Sequence, residues 1–126
     1  MTGERILVVE DNELNMKLFR DVLVATGYRT LEATSGGEAV ELATEHEPDL
    51  VLMDIQLPDL GGVQALGRLR ANDRTASIPV LALTAQAMDG DRERFLAAGF
   101  DGYLSKPVNV RELIDTVRLH CDGGAR

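Results

Sequence analysis

Tryptophan is absent, cysteine occurs once and aromatic residues are only 4% of the 126 positions. With Cys121 alone, an internal disulfide is excluded, which suits a reducing compartment. A single cysteine near a helix end is ordinarily a small apolar packer. No apolar run approaches the roughly 20 residues that cross a bilayer, and the N-terminus lacks the charged-then-apolar pattern of a signal peptide. Nothing divides the chain: there is no internal repeat, no low-complexity stretch and no Pro/Ser-rich linker. Positive charge is scarce too, 13 Lys and Arg against 21 Asp and Glu, for a net charge of −8. That balance excludes unspecific binding to nucleic acid or an anionic membrane. No phosphate-cradling loop follows the first apolar run and no P-loop is present, which removes FMN carriers and P-loop nucleotide enzymes.

What is there alternates. The runs Ile6-Leu7-Val8-Val9, Leu50-Val51-Leu52-Met53 and Pro79-Val80-Leu81-Ala82-Leu83 are almost continuously apolar, as strands buried on both faces of a parallel sheet are. Residues 30–33 and 102–104 are weaker and read as edge or near-edge strands. Helical patterns lie between and after them. Residues 13–26 stop at Gly27, and 37–46 stop before Pro48 with Ser35 as a cap. Residues 63–71 follow, then 87–98 closed by Gly99. Val110, Leu113, Ile114, Val117 and Cys121 give the last helix a stripe at i, i+3, i+4 and i+7. Five strand–helix alternations predict an α/β, doubly wound, five-stranded parallel sheet over residues 1–121, with 122–126 a short flexible tail.

In such sheets ligands bind beyond the carboxyl ends of the strands. There stand Glu10 and Asp11 after the first run, Asp54 after the third, Thr84 after the fourth, and Ser105, Lys106 and Pro107 after the fifth. Singly, each has a plain structural reading: Asp11 or Asn12 a helix cap, Thr84 a loop hydroxyl, Lys106-Pro107 a surface turn. Together they converge. Three carboxylates at one edge repel and need protons or a cation to share it. A hard divalent ion suits them, and Mg²⁺ prefers a few oxygen ligands plus waters and phosphate oxygens. A carboxylate is also a nucleophile toward phosphorus. The loose transition state of phosphoryl transfer makes positioning and positive charge most of the catalysis, which Lys106 and a metal would supply.

The segments Val8-Val9-Glu10-Asp11-Asn12, Leu52-Met53-Asp54-Ile55-Gln56-Leu57-Pro58, Leu83-Thr84-Ala85 and Gly102-Tyr103-Leu104-Ser105-Lys106-Pro107 resemble the receiver domains of two-component response regulators. The resemblance runs from about Arg5 to His120 and is strongest with single-domain regulators of the DivK type. It implies the flavodoxin-like, CheY-like strand order 2-1-3-4-5 and phosphorylation of Asp54. It further implies Mg²⁺ (Mn²⁺ able to substitute) on Glu10, Asp11, Asp54 and the Gln56 carbonyl. By the same resemblance Thr84, Ala85 and Lys106 receive the phosphoryl group, a cis peptide precedes Pro107, and Tyr103 swings inward on activation. Gln56 and Gln86 would tune the lifetime of the phosphoryl group. Gly61 departs from the family pattern, which more often has an acidic or polar residue there.

Tyr103 has a second reading as a half-buried edge-strand aromatic, and Gly90 is either a weak point in its helix or an inconsequential first-turn residue. On the first helix Leu18, Phe19, Val22 and Leu23 are expected in the core. Leu14, Asn15 and Met16 are either core periphery or a docking patch for the phosphodonor. The donor implied by the resemblance is a histidine kinase or histidine phosphotransferase, and the output is a protein effector or kinase. No nucleic acid or membrane is involved. A cytoplasmic location, a monomer or weak dimer, and a stoichiometric phosphoacceptor rather than an enzyme complete the expectation. A stand-alone receiver is favoured because no further domain follows. The alternatives are a module of a hybrid kinase or larger regulator, or an aspartyl-phosphate hydrolase of the haloacid dehalogenase type. That last class needs an acid where Gln56 stands.

Overall fold

A computed structural model describes residues 3–57, 59–85 and 91–121. Five strands and five helices alternate: β1 (Arg5–Val9), α1 (Glu13–Ala25), β2 (Arg29–Ala33), α2 (Gly36–His46), β3 (Leu50–Asp54), α3 (Gly62–Ala71), β4 (Val80–Thr84), α4 (Asp91–Ala98), β5 (Gly102–Ser105) and α5 (Val110–Cys121). The strands form one parallel sheet in the order β2-β1-β3-β4-β5. The order reverses between β1 and β3, which opens a crevice beyond their carboxyl ends.

The continuous apolar runs have a direct cause. Successive side chains of a strand point to opposite faces, and here both faces are covered. Ile6, Val8, Leu50, Leu52, Leu81 and Leu83 pack with Phe19 and Leu23 of α1 and Leu113 and Val117 of α5. Leu7, Val9, Val51, Met53, Val80 and Ala82 pack the other way, with Ala39, Ala43, Leu66, Leu69 and Phe95 of α2, α3 and α4. Every residue of β3 and β4 is buried. Each fully buried Leu or Val contributes roughly 1.5–3 kcal/mol. The edge strands β2 and β5 are only partly buried, which is why their sequences are more polar.

Helix ends differ from expectation by a residue or so. Helices α2 and α3 begin at Gly36 and Gly62, one residue early, because each glycine permits a close tertiary approach. A Cβ on Gly62 would stand 2.5 Å from the Asp54 carbonyl oxygen. Gly61, at the N-cap of α3, makes no side-chain cap. Helix α4 is observed from Asp91, so Gln86, Ala87 and Gly90 lie outside the described residues, as do Pro58 and the tail 122–126.

The inward face of α1 departs most from expectation. Leu18 is 41% exposed rather than core, while Met16 is 6% exposed and packs in the core. Met16, Phe19 and Leu23 follow i, i+3, i+7 onto the sheet, which turns Leu14 and Leu18 to the opposite side. The three-residue surface patch at 14–16 therefore loses Met16, whereas Leu14 is 79% exposed and Asn15 half-buried.

Candidate phosphoacceptor site

Backbone bonds carry the sheet ladder one step past the strands and so fix the site. Glu10 N–H donates to the Ala33 carbonyl (3.0 Å), Ile55 N–H to the Leu83 carbonyl (3.0 Å) and Lys106 N–H to the Thr84 carbonyl (2.7 Å). Glu10, Asp54, Thr84 and Lys106 are thereby held at one edge. The Lys106-Pro107 peptide is cis. The cap of α1 is Asn12, whose side chain accepts from Asn15 N–H (3.0 Å). Asp11 is thus left available to the crevice.

Carboxylate oxygens of Glu10, Asp11 and Asp54 lie within 4.8 Å of one another. Glu10 is 1% and Asp54 5% exposed, and Asp11 is exposed. Both oxygens of Asp54 are engaged: Gln56 N–H donates to Oδ1 (2.9 Å) and Lys106 Nζ to Oδ2 (2.9 Å). Lys106 Nζ also sits 2.7 Å from Glu10 Oε1, a second ion pair at the same ammonium. The second Glu10 oxygen accepts from Asn12 N–H (3.2 Å).

Burial pushes the Glu10 carboxyl above its usual range; Lys106 counters the rise and the charge of Asp54 adds to it. Burial draws the Lys106 ammonium down, but Glu10 and Asp54 outweigh it and leave it raised. Lys106 therefore stays charged at neutral pH, facing three carboxylates with one positive charge. An all-oxygen donor set of three carboxylates within 4.8 Å of one another and an excess of negative charge fit a hard divalent cation such as Mg²⁺.

The crevice has a volume of about 410 Å³. Its lining includes Asn15, Gln56, Thr84 and Ala85, and also Arg94 of α4, which sequence reasoning missed. Arg94 stacks over the Phe95 ring at 5.1 Å; nothing in a helical arginine signals such a position in advance. Tyr103 is half-buried, its ring 5.7 Å from that of Phe95, against the core on the α4 side of the sheet. Asp59 was missed as well. Its carboxylate accepts from the Gly36 and Gly37 N–H groups at 2.9 and 3.1 Å, a contact across 23 residues that no local pattern reveals.

A sheet of this order with an acid cluster and a lysine at its carboxyl edge defines a class, and residues 6–118 match the model of that class, the response regulator receiver domain. The chain belongs to this family, whose work is phosphorylation-based two-component signalling. Among known proteins it is 50% identical to the polar-differentiation response regulator DivK of Brucella anthropi over 115 residues, 91% of this chain and 94% of that one. DivK of Brucella ovis gives the same figures. The receiver domain of a Pseudomonas aeruginosa sensor histidine kinase, solved with a magnesium ion coordinated in its active site cleft, superposes with a TM-score of 0.85. It is 39% identical, over 93% of this chain and 96% of that one. A putative response regulator from Chloroflexus aurantiacus gives a TM-score of 0.90 at 30% identity, covering 99% and 100%. Among the described residues no helix is long and apolar enough to cross a membrane.

Proposed function

We propose that Asp54 is the phosphoacceptor, taking its phosphoryl group from a phosphohistidine on a histidine kinase or histidine phosphotransferase. The observation that carries this is the setting of Asp54: nearly buried at the end of a fully buried strand, 2.9 Å from Lys106 Nζ, with two further carboxylates within 4.8 Å. A carboxylate oxygen of Asp54 bonds to phosphorus as the P–N bond to the imidazole breaks. The bonding pair returns to the ring nitrogen, which leaves a neutral histidine and an aspartyl phosphate. Glu10, Asp11, Asp54 and the Gln56 carbonyl would hold Mg²⁺, with Mn²⁺ able to replace it. The bound ion supplies positive charge to the phosphoryl oxygens. Lys106 offers a second cation, and Thr84 with Ala85 receives the remaining oxygens.

The added charge of about −1.5 to −2 is the signal. On this reading Thr84 and the following loop close on the phosphoryl group, and Tyr103 turns inward to the space vacated. The protein is a stoichiometric cytoplasmic phosphoacceptor, a monomer or weak dimer, whose phosphorylated form is read by a protein effector or kinase. Gln56 and Gln86 tune the lifetime of the phosphoryl group. Leu14 and Asn15 belong to the surface that meets the donor. Labelling with acetyl phosphate and Mg²⁺ tests the chemistry: wild type takes one acid-stable, base-labile phosphoryl group and Asp54→Asn takes none. Label that persists in the variant, or needs no divalent metal, refutes it.

A further inference from the structure

We propose that Asp59 is a positioning residue for the phosphoacceptor, clamping the loop after β3 onto the first turn of α2. The inference rests on the reading of Asp54 given above. The loop leaves the sheet at Ile55, whose N–H makes the last ladder bond, and regains a backbone tether at Gly62 N–H, which donates to the Ile55 carbonyl (2.9 Å). Between those points it supplies Gln56 N–H to Asp54 Oδ1 (2.9 Å) and so fixes the rotation of that carboxylate. Outside the sheet the loop is held by Leu57 and Leu60, which pack against the core, and by the Asp59 carboxylate, its polar tie to α2. Its two oxygens accept separately from Gly36 N–H (2.9 Å) and Gly37 N–H (3.1 Å). Backbone N–H groups of Leu60 and Gly36 hold the Asp59 carboxyl below its usual range, so the clamp is ionised at neutral pH.

Helix α2 does not need Asp59 in order to begin. Ser35 already accepts from Glu38 N–H (3.2 Å), and Glu38 reaches back to Thr34 N–H (2.8 Å), a local capping arrangement complete in itself. The exposed N–H groups and positive end of α2 instead serve as a fixed anchor for a remote carboxylate. The fit is tight: a Cβ on Gly36 would stand 2.5 Å from the Leu60 carbonyl oxygen and 2.8 Å from its Cβ. A glycine here lets the loop rest directly on the helix. Without the clamp the loop loosens, Gln56 N–H leaves Asp54 Oδ1, and the carboxylate rotates out of register with Glu10 and Asp11.

The test is Mg²⁺ binding by calorimetry on the full chain, with acetyl phosphate labelling as a second readout. Removal of an outer-shell partner typically weakens metal binding at least tenfold, so Asp59→Ala is expected to lose about tenfold in affinity and labelling rate. Gly36→Ala, which displaces the loop and leaves the carboxylate intact, shows the same loss. Asp59→Asn keeps one acceptor and falls between. Ser35→Ala removes a cap from the same helix end without touching the loop; it lowers the urea midpoint and leaves Mg²⁺ affinity at the wild-type value. Wild-type affinity in Asp59→Ala and Gly36→Ala, or an equal loss in Ser35→Ala, overturns the clamp. Wild type that binds no Mg²⁺ and takes no label overturns the reading of Asp54 and the clamp with it.

Discussion

Replacement of Lys106 by methionine removes the sole cation in contact with the buried acids among the described ion pairs, and its cost depends on pH and on metal. At an effective dielectric of about 20, the ion pairs of Lys106 with Glu10 at 2.7 Å and Asp54 at 2.9 Å are each worth about 6 kcal/mol of Coulomb energy. Two carboxylates within 4.8 Å of each other repel by at least about 3.5 kcal/mol on the same scale. Lys106→Met therefore turns a nearly balanced cluster into a strongly repulsive one, and the protein responds by binding a proton. Glu10 takes it, because burial already holds its carboxyl above the usual range. The expected loss is then that of a broken buried ion pair, about 3–5 kcal/mol, rather than the full Coulomb sum. The sign follows from linkage. A carboxyl raised in the native state binds more protons there than in the unfolded chain, so stability falls as pH rises above the ordinary glutamate range. Urea titrations in EDTA should show the variant 3–5 kcal/mol less stable than wild type at pH 8, by roughly the cost of a broken buried pair. The gap narrows toward pH 5 and narrows again when Mg²⁺ is added at pH 8. A second substitution, Asp54→Asn, in the Lys106→Met background should recover part of the loss. A difference that is constant from pH 5 to pH 8, or absent in EDTA, refutes the reasoning.

Two other perturbations separate stability from chemistry. Arg70 donates to the carbonyls of Ala76 (3.0 Å), Ile78 (2.6 Å) and Gly99 (2.9 Å) and to the Asp101 carboxylate (2.9 Å), at the end of the sheet remote from Asp54. Arg70→Ala should cost about 2–4 kcal/mol in urea unfolding while leaving the labelling rate of the folded protein unchanged; a slowed rate would show that this end of the fold does reach the site. Leu14→Ala, at a side chain 79% exposed beside the crevice, should slow transfer from a phosphohistidine protein severalfold and leave acetyl phosphate labelling alone; equal slowing of both donors removes Leu14 from the docking surface.

The central strands were legible because burial on both faces leaves no polar position to confuse the period. Any acid at the end of such a run, like Asp54, then stands out as lying at a mouth of the core. The same logic placed Glu10, Thr84 and Lys106, each just beyond or at the end of a strand. Helix α1 was misread for the opposite reason. It carries apolar residues on two sides, so Leu18 and Met16 could be exchanged between core and surface without violating helical spacing, and only the sheet against which α1 packs decides between them. The start of α3 was missed because Gly62 is a poor helix former in isolation; at both Gly36 and Gly62 the deciding contact is with atoms of a distant segment, Leu60 and Asp54, that no local pattern shows. Asp59 was invisible to local reading, since an acid after Pro58 is an ordinary loop residue until α2 is brought to it.

The two grips on Asp54 differ in kind, and that difference bears on the order of events. Gln56 N–H holds Oδ1 by a neutral backbone dipole anchored through a loop, which orients the carboxylate without altering its charge. Lys106 holds Oδ2 by its charge, and the same ammonium lies against Glu10. While Lys106 pairs with both Glu10 and Asp54, its attraction is spent inside the cluster and little remains for an incoming phosphoryl group. On the proposed chemistry, divalent charge held at Glu10 and Asp11 would relieve that demand and leave Lys106 free to follow the phosphoryl oxygens. On that reading metal would precede phosphoryl, and the orientation of Asp54 would have to survive the departure of Lys106. A backbone donor fixed from outside the cluster meets that requirement, since no change of charge at the site removes it.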